Sequence, residues 1–236
     1  MEQQKAVVII SGGMDSSVLL ATVKKDNPAG SIKALTIDYG QRHSREIACA
    51  QWQCRAQNVP HMILDVASVF RQLGGSVLTE PLRMVPHGHY SEENMKKTVV
   101  PNRNMVLLSL AIAVAVKEKA QFVAYGAHAG DHAIYPDCRP EFAEKMNEVA
   151  KIANWQSVEL LRPFIGMTKA DIVKRGALLG VDFIHTWSCY EGEHEACGKC
   201  GTCVERLEAF DIAGCYDPLL YSDRQYWKSV CHRGGA

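Results

Sequence analysis

The chain has 236 residues, the size of one α/β domain or of one domain with a small appendage. Hydrophobic residues make up 47%, enough for a substantial core, which argues against wholesale disorder. Basic and acidic side chains balance at 26 each, which argues against a strongly basic nucleic-acid binder or a membrane-surface protein.

In chain order, Ala6-Val7-Val8-Ile9-Ile10 is apolar and rich in β-branched residues, and predicts the first strand. Val18 to Lys24 predicts a helix that runs to about Lys25. Between them lies Ser11-Gly12-Gly13-Met14-Asp15-Ser16-Ser17. Two glycines allow a sharp turn with exposed N–H groups, and a helix starting at Asp15 adds unpaired donors and a positive dipole end. That combination attracts phosphate. No lysine follows the glycines, so this is not the common phosphate loop, and the Gly-x-Gly-x-x-Gly dinucleotide pattern is absent. Ser-Gly-Gly-Met-Asp-Ser at the end of a first strand resembles the pyrophosphate loop of the ATP pyrophosphatases. A turn serving geometry alone is the bland alternative.

Asp26-Asn27-Pro28 and Gly30 break the first helix. Residues 32–39 predict the second strand, Ser44 to Gln57 the second helix, and residues 61–65 a short third strand. The alternation without hairpin signals predicts a parallel sheet with right-handed crossovers. From Gly74 to Pro101 the pattern dissolves among scattered Gly and Pro, and is read as a flap beside the site or a plain disordered insertion. An apolar helix follows over about Met105 to Lys119, with Arg103 at its start. A cation there gains nothing from the helix dipole, so Arg103 is read as a clamp on phosphates, against the alternative of a surface salt bridge.

Residues 122–125 predict the fourth strand, followed by a polar loop containing His128, Asp131, His132, Tyr135, Asp137, Cys138 and Arg139. Ligands of open parallel sheets bind outside the carboxyl ends of strands, where this loop starts. Pro140 to Asn154 predicts a helix and residues 158–161 a fifth strand. Thr168 caps a helix over Lys169 to Leu179, with Asp171 in its first turn. Lys169 repeats the misplaced cation of Arg103, and is read as a phosphate contact or a solvated lysine. No membrane-length apolar run is expected, and a core strand by residue 6 leaves no room for a signal peptide, which gives a cytoplasmic reading.

Nine cysteines in such a chain point to thiols and metal rather than to a disulfide framework. Cys197, Cys200 and Cys203 form two overlapping Cys-x-x-Cys units, with Cys189 eight positions upstream. Four thiolates suit a closed, structural, tetrahedral Zn²⁺, whose binding energy helps fold the segment. An iron–sulfur centre and a redox pair are the alternatives on count alone, and His185 or His194 could replace a thiol. Cys49, Cys54, Cys138, Cys215 and Cys231 are read as small buried hydrophobes.

Together these residues resemble the QueC family of 7-cyano-7-deazaguanine synthases along nearly the whole chain. The matches are Ser11 to Ser16, Asp38 to His43, Val100-Pro101 with Arg103-Asn104, Tyr135 to Arg139 with Glu141-Phe142, Lys169 with Asp171, and Ser188-Cys189-Tyr190 with the three further cysteines. The resemblance implies a Rossmann-like parallel sheet of the adenine nucleotide α-hydrolase type over residues 1–187, and a four-cysteine zinc-binding C-terminal subdomain over 188–236. It implies that ATP with Mg²⁺ adenylates 7-carboxy-7-deazaguanine, that ammonia gives the amide, and that a second activation leaves the nitrile. Asp15, Ser16, Arg103 and Lys169 would be catalytic. Ile10, Ser11, Gly12, Gly13, Met14, Asp15, Ser16, Ser17, Val18, Leu19 and Leu20 would bind nucleotide. Asp131, Tyr135, Asp137 and Arg139 would bind substrate, and Cys189, Cys197, Cys200 and Cys203 the zinc. A homodimer without direct contact to nucleic acid or membrane is implied.

Two features depart from the family pattern. Asn102 stands where Gly is usual, a turn that Asn tolerates. The 126–134 loop also differs, which leaves room for an enzyme that stops at the amide or joins the acid to another amine. A tRNA-thiolating enzyme of the same superfamily and a zinc-ribbon module without catalysis are the remaining alternatives.

Overall fold

The computed structural model describes residues 4–27, 30–41, 44–76, 78, 85–89, 93–130 and 135–231. Arg42, His43, Asp131 and His132 lie outside the described residues, as do parts of the 74–101 stretch. Five strands form the sheet: β1 (Lys5–Ile9), β2 (Ser31–Asp38), β3 (His61–Asp65), β4 (Phe122–Ala124) and β5 (Glu159–Leu161). Their order is β3-β2-β1-β4-β5, and every pairing is parallel. The chain therefore builds outward from β1 to one side, then returns to build outward on the other.

Alternation along β1 separates two cores. Val8 and Ile10 pack with α1 (Met14–Asp26), α2 (Ser44–Ala56) and α6 (Lys169–Leu178). Val7 packs with α4 (Arg103–Glu118) and α5 (Pro140–Ile152) on the opposite face. A strand buried on both faces reads as the unbroken apolar run seen at 6–10. Two short helices not foreseen from the sequence complete the pattern, α3 (Ala67–Leu73) after β3 and α8 (Tyr226–Cys231) near the C-terminus. The helix after the cysteines, α7 (Gly201–Ala213), adds Ala209 and Phe210 to the α1–α6 core.

Two expectations need correction. Residues 95–118 are long and apolar enough to cross a membrane by length and composition. In the fold they form a 3₁₀ turn (Glu93–Thr98) and then α4, whose Leu108, Ala111, Ile112 and Ala115 pack against the sheet. The described part of 74–101 is also not a plain insertion. Met95 is fully buried, Leu78 and Val100 pack on Phe70, and the Ser76 hydroxyl donates to the Thr98 carbonyl at 3.2 Å. These anchors are irregularly spaced, so no periodicity announced them.

α4 starts at Arg103 rather than Met105 because Asn102 takes the left-handed conformation at φ 57° and turns the chain into the helix. Asn replaces Gly there at little steric cost. Thr168 and Asp171 form the expected reciprocal cap of α6.

Candidate active site and thiol cluster

The sheet order reverses between β1 and β4, and such a crevice is where open α/β sheets bind ligands. A cavity of about 250 Å³ lies there, lined by Ser11, Gly13, Asp15 and Ser16 from the loop after β1. Tyr39, Glu46, Arg103, Tyr125, Cys138, Lys169, Ser188 and Tyr190 complete its walls.

The loop after β1 is tight. Gly12 has φ +94°, and a Cβ placed on it would fall 1.9 Å from the Glu46 carbonyl oxygen. A side chain here would push α2 away, so the glycine is a packing requirement as well as a conformational one. Ser16 holds the turn from inside. Its hydroxyl accepts from the Ser11 N–H at 3.1 Å and the Gly12 N–H at 3.3 Å, and donates to the Gly13 carbonyl at 3.1 Å. The first loop amides are thus spent within the loop. The start of α1 differs, since Gly13 is its N-cap and no side chain caps it. The donors for an anion are therefore the first-turn N–H groups of α1.

Asp15, in that first turn, sits in a charged cluster. Its Oδ2 lies 3.4 Å from Lys169 Nζ and 3.8 Å from His128 Nε2, and Lys169 Nζ is 2.5 Å from Glu205 Oε2. The Gly130 N–H donates to His128 Nδ1 at 3.1 Å, so the ring proton belongs on Nε2, facing Asp15. Burial works against ionisation of Asp15, but Lys169 and His128 together outweigh it and hold the carboxyl below the usual carboxylate range. Its other oxygen, Oδ1, is buried without a hydrogen-bond partner. Lys169 is neither solvated nor placed at random; two carboxylates hold it at the cavity wall.

Arg103 enters from the opposite side. Its guanidinium lies 5.9 Å from the centre of the Tyr39 ring and 5.6 Å from that of Tyr135. Ring faces stabilise the cation and Nη1 reaches the Tyr39 hydroxyl at 3.5 Å, which leaves the rest of the donor fork for an anion. This is not a surface salt bridge. The Tyr135 hydroxyl is engaged with Thr98 at 2.9 Å, so Tyr135 supports Arg103 with its ring.

The other expected substrate residues are not all brought together. Asp137 turns its Oδ2 to the Asn104 N–H at 3.0 Å, which caps α4, while Oδ1 is buried without a partner. Arg139 is exposed at the start of α5 and does not line the cavity. The Tyr125 hydroxyl is a further buried group without a partner; burial pushes it up to about 12, with Cys138 and Asp137 adding.

Glu46, Tyr125 and Glu205 are the residues here that the sequence reading passed over as functional, whereas His128 was read as a member of the polar loop after β4. Burial pushes the Glu46 carboxyl up to about 8, opposed by Arg103 and reinforced by Cys189. Glu205 had no local signal, because only the packing of α7 on α6 brings it to Lys169.

The four expected thiols do converge. The Sγ atoms of Cys189, Cys197, Cys200 and Cys203 all lie within 4.8 Å of one another. Backbone N–H groups of Glu191, Gly192 and Cys197 donate to Cys189 Sγ at 3.1–3.4 Å, and those of Lys199 and Cys200 to Cys197 Sγ at 3.3–3.4 Å. Donors aimed at sulfur favour thiolates, so the donor set fits a metal ion. The cluster reaches the active site through the backbone: the Trp187 N–H donates to the Gly12 carbonyl at 2.9 Å, and Ser188 lines the cavity.

The family model for the queuosine biosynthesis protein QueC matches residues 5–214. The chain belongs to the QueC family. It is 53% identical over 227 residues to a 7-cyano-7-deazaguanine synthase of Hahella chejuensis, covering 96% of this chain and 94% of that one. A relative of the same name from Methanoregula boonei is 52% identical over 217 residues, covering 92% and 99%. Among solved structures, NMN synthetase from Francisella tularensis superposes with a TM-score of 0.53 at 12% identity, over 98% of this chain and 85% of that one. U34-tRNA thiolase NcsA from Methanococcus maripaludis gives 0.51 at 17% identity, over 89% and 64%. At such identities these two show a shared fold. The expected ATP-dependent enzyme of the queuosine pathway is borne out at the level of the QueC family.

Proposed function

We propose that this QueC-family chain converts 7-carboxy-7-deazaguanine, ATP and ammonia into 7-cyano-7-deazaguanine. The observation that carries the reading is the meeting, at one cavity, of an uncapped helix start, two held cations and unpartnered buried polar atoms. The substrate carboxylate oxygen attacks the α-phosphorus of ATP, and the bond to the β-phosphate oxygen breaks to release pyrophosphate. Ammonia then adds to the activated carbonyl carbon, the bond to the AMP oxygen breaks, and one proton is lost. The amide oxygen attacks the α-phosphorus of a second ATP and pyrophosphate leaves; the C–O bond to AMP then breaks as the two N–H protons are lost, which leaves the nitrile.

The chain's own residues position and stabilise charge. The α1 N–H groups and Lys169 hold the departing pyrophosphate, and Arg103 holds the phosphoryl oxygens where negative charge grows. Magnesium, when bound, supplies Lewis-acid neutralisation of the phosphates, and Asp15 Oδ1 is the atom fitted to hold it. Asp137 Oδ1 accepts from the pyrimidine-edge donors of the base, and the Tyr125 hydroxyl donates to it. Tyr135 positions Arg103. The family resemblance extends substrate binding to Asp131 and Arg139. The four thiols hold a structural zinc that takes part in no step, since a closed site has no position for substrate. Residues 1–187 form the catalytic unit and 188–236 the thiol-bearing appendage that shares its core. The enzyme works in the cytoplasm as a homodimer on small molecules, with no nucleic acid or membrane partner.

The test is AMP release with ATP, the deazaguanine acid and ammonia, followed by mass spectrometry of the product. AMP that depends on the acid, with the nitrile mass, is expected. The amide mass would end the second activation, and AMP release that depends on tRNA would replace this reading by thiolation.

A further inference from the structure

Away from the cavity, three side chains of different metal-binding chemistry converge from three separate segments. His89 comes from the 85–89 stretch, Glu208 from the middle of α7 and Cys231 from the end of α8. Their donor atoms all lie within 4.8 Å of one another, and His89 Nε2 is 3.6 Å from Glu208 Oε2. Zinc bonds of about 2.0–2.3 Å in tetrahedral geometry put ligand atoms roughly 3.3–3.8 Å apart, so the spacing is close to that of a loaded site. All three residues are half-buried, which limits competition from water without closing access.

The trio offers one nitrogen, one oxygen and one sulfur donor. Cys231 sits at the edge of an apolar cluster with Val204, Leu207 and Trp227. The Cys231 thiol and His89 converge on the same Glu208 carboxylate. A borderline-soft dication accepts nitrogen, oxygen and sulfur together, which is the donor mixture present.

The surroundings also give such an ion work to do. The 85–89 stretch runs beside the thiol cluster: His87 pairs with Cys200 across a β-bridge, and the Gly88 N–H donates to the Lys199 carbonyl at 3.2 Å. Val85 packs into the apolar shell of that cluster. Glu208 lies five residues beyond Cys203, about 7.5 Å further along α7. An ion here would pin the stretch and α8 to the same helix that the thiol cluster anchors at its start.

We propose that His89, Glu208 and Cys231 form a second zinc site, distinct from the four-thiol cluster, with its fourth position open to water. It clamps the 85–89 stretch and α8 onto α7. The experiment uses the full chain without a polyhistidine tag, loaded with zinc and freed of excess by gel filtration. Metal content is read by inductively coupled plasma mass spectrometry. Two zinc ions per chain are expected in the parent, one in His89→Gln and Cys231→Ser, and one in Cys200→Ser. Added zinc should raise the melting temperature of Cys200→Ser but not that of Cys200→Ser combined with His89→Gln. One ion in the parent at saturating zinc, unchanged in both single variants, overturns the site and leaves an ion pair beside a thiol. Two ions that survive both variants overturn it as well. Should Cys231→Ser fail to fold, His89→Gln on the surface stretch gives the decision alone.

Discussion

Lys169 is the cation paired with Asp15 in the first turn after the glycine loop, and Lys169→Met removes it with little change in side-chain length. Two carboxylates then lose this cation: Glu205, 12% exposed, and Asp15, 25% exposed. Removing one member of a buried pair costs about 3–5 kcal/mol. Water screens the Asp15 arm, so the low end, about 3 kcal/mol, is expected. For a domain of this size that lowers the melting temperature by about 6–12 °C. Activity should fall further, by about 10²–10³-fold in kcat/KM, the scale of losing one preorganised charge stabiliser.

The pH dependence carries its own sign. Lys169 helps hold the Asp15 carboxyl below its unfolded value, so the unfolded chain takes up the proton first as pH falls. The stability from that ionised carboxyl is present above the unfolded value and is lost as pH drops through the folded one. Without Lys169 burial is opposed by His128 and Arg206 alone, and both the stability loss and the acid limb of AMP formation should move to higher pH. The assay is AMP release and melting temperature from pH 4 to 8, with Glu205→Gln as companion. Parent-like turnover with an unshifted acid limb in Lys169→Met would refute the coupling between Lys169 and the loop.

Three further outcomes are expected. Cys200→Ser should lose the ion of the four-thiol cluster together with stability and activity, read by metal analysis and melting; full activity without metal would refute a structural ion. Asp137→Ala should lose about 1 kcal/mol from the Asn104 cap, whereas Asp137→Asn should keep the cap and raise KM for the deazaguanine acid. A normal KM in Asp137→Asn would remove Asp137 from base recognition. Asp217→Ala should destabilise by about 3–5 kcal/mol, because Arg206 is buried and bonded to both Asp217 oxygens, at 2.8 and 3.0 Å. Urea unfolding measures it, and a loss under about 1 kcal/mol would refute the pairing.

What the sequence determined by itself was local. Unbroken β-branched runs specify strands buried on both faces, and the glycine pair after the first run specifies the turn. The Thr168–Asp171 spacing specifies a cap, and the cysteine spacing specifies a knuckle, because the atoms involved are within a few residues of each other. Family membership was legible for the same reason, since its motifs are short contiguous runs.

Tertiary structure decided whatever depends on distant segments meeting. Asp137 was legible as a polar loop residue, yet only the packing of its loop against α4 gives one oxygen to the Asn104 N–H and leaves the other without a partner. Met95 and Val100 sit at no regular period, so their burial became visible only once the sheet lay beneath them. Glu205 lies 36 residues from Lys169, and no pattern in either stretch points to the other. Helix packing alone makes the Asp15–Lys169–Glu205 cluster, because a charge pair is selected by proximity in space, and sequence spacing carries proximity only within a turn or a strand.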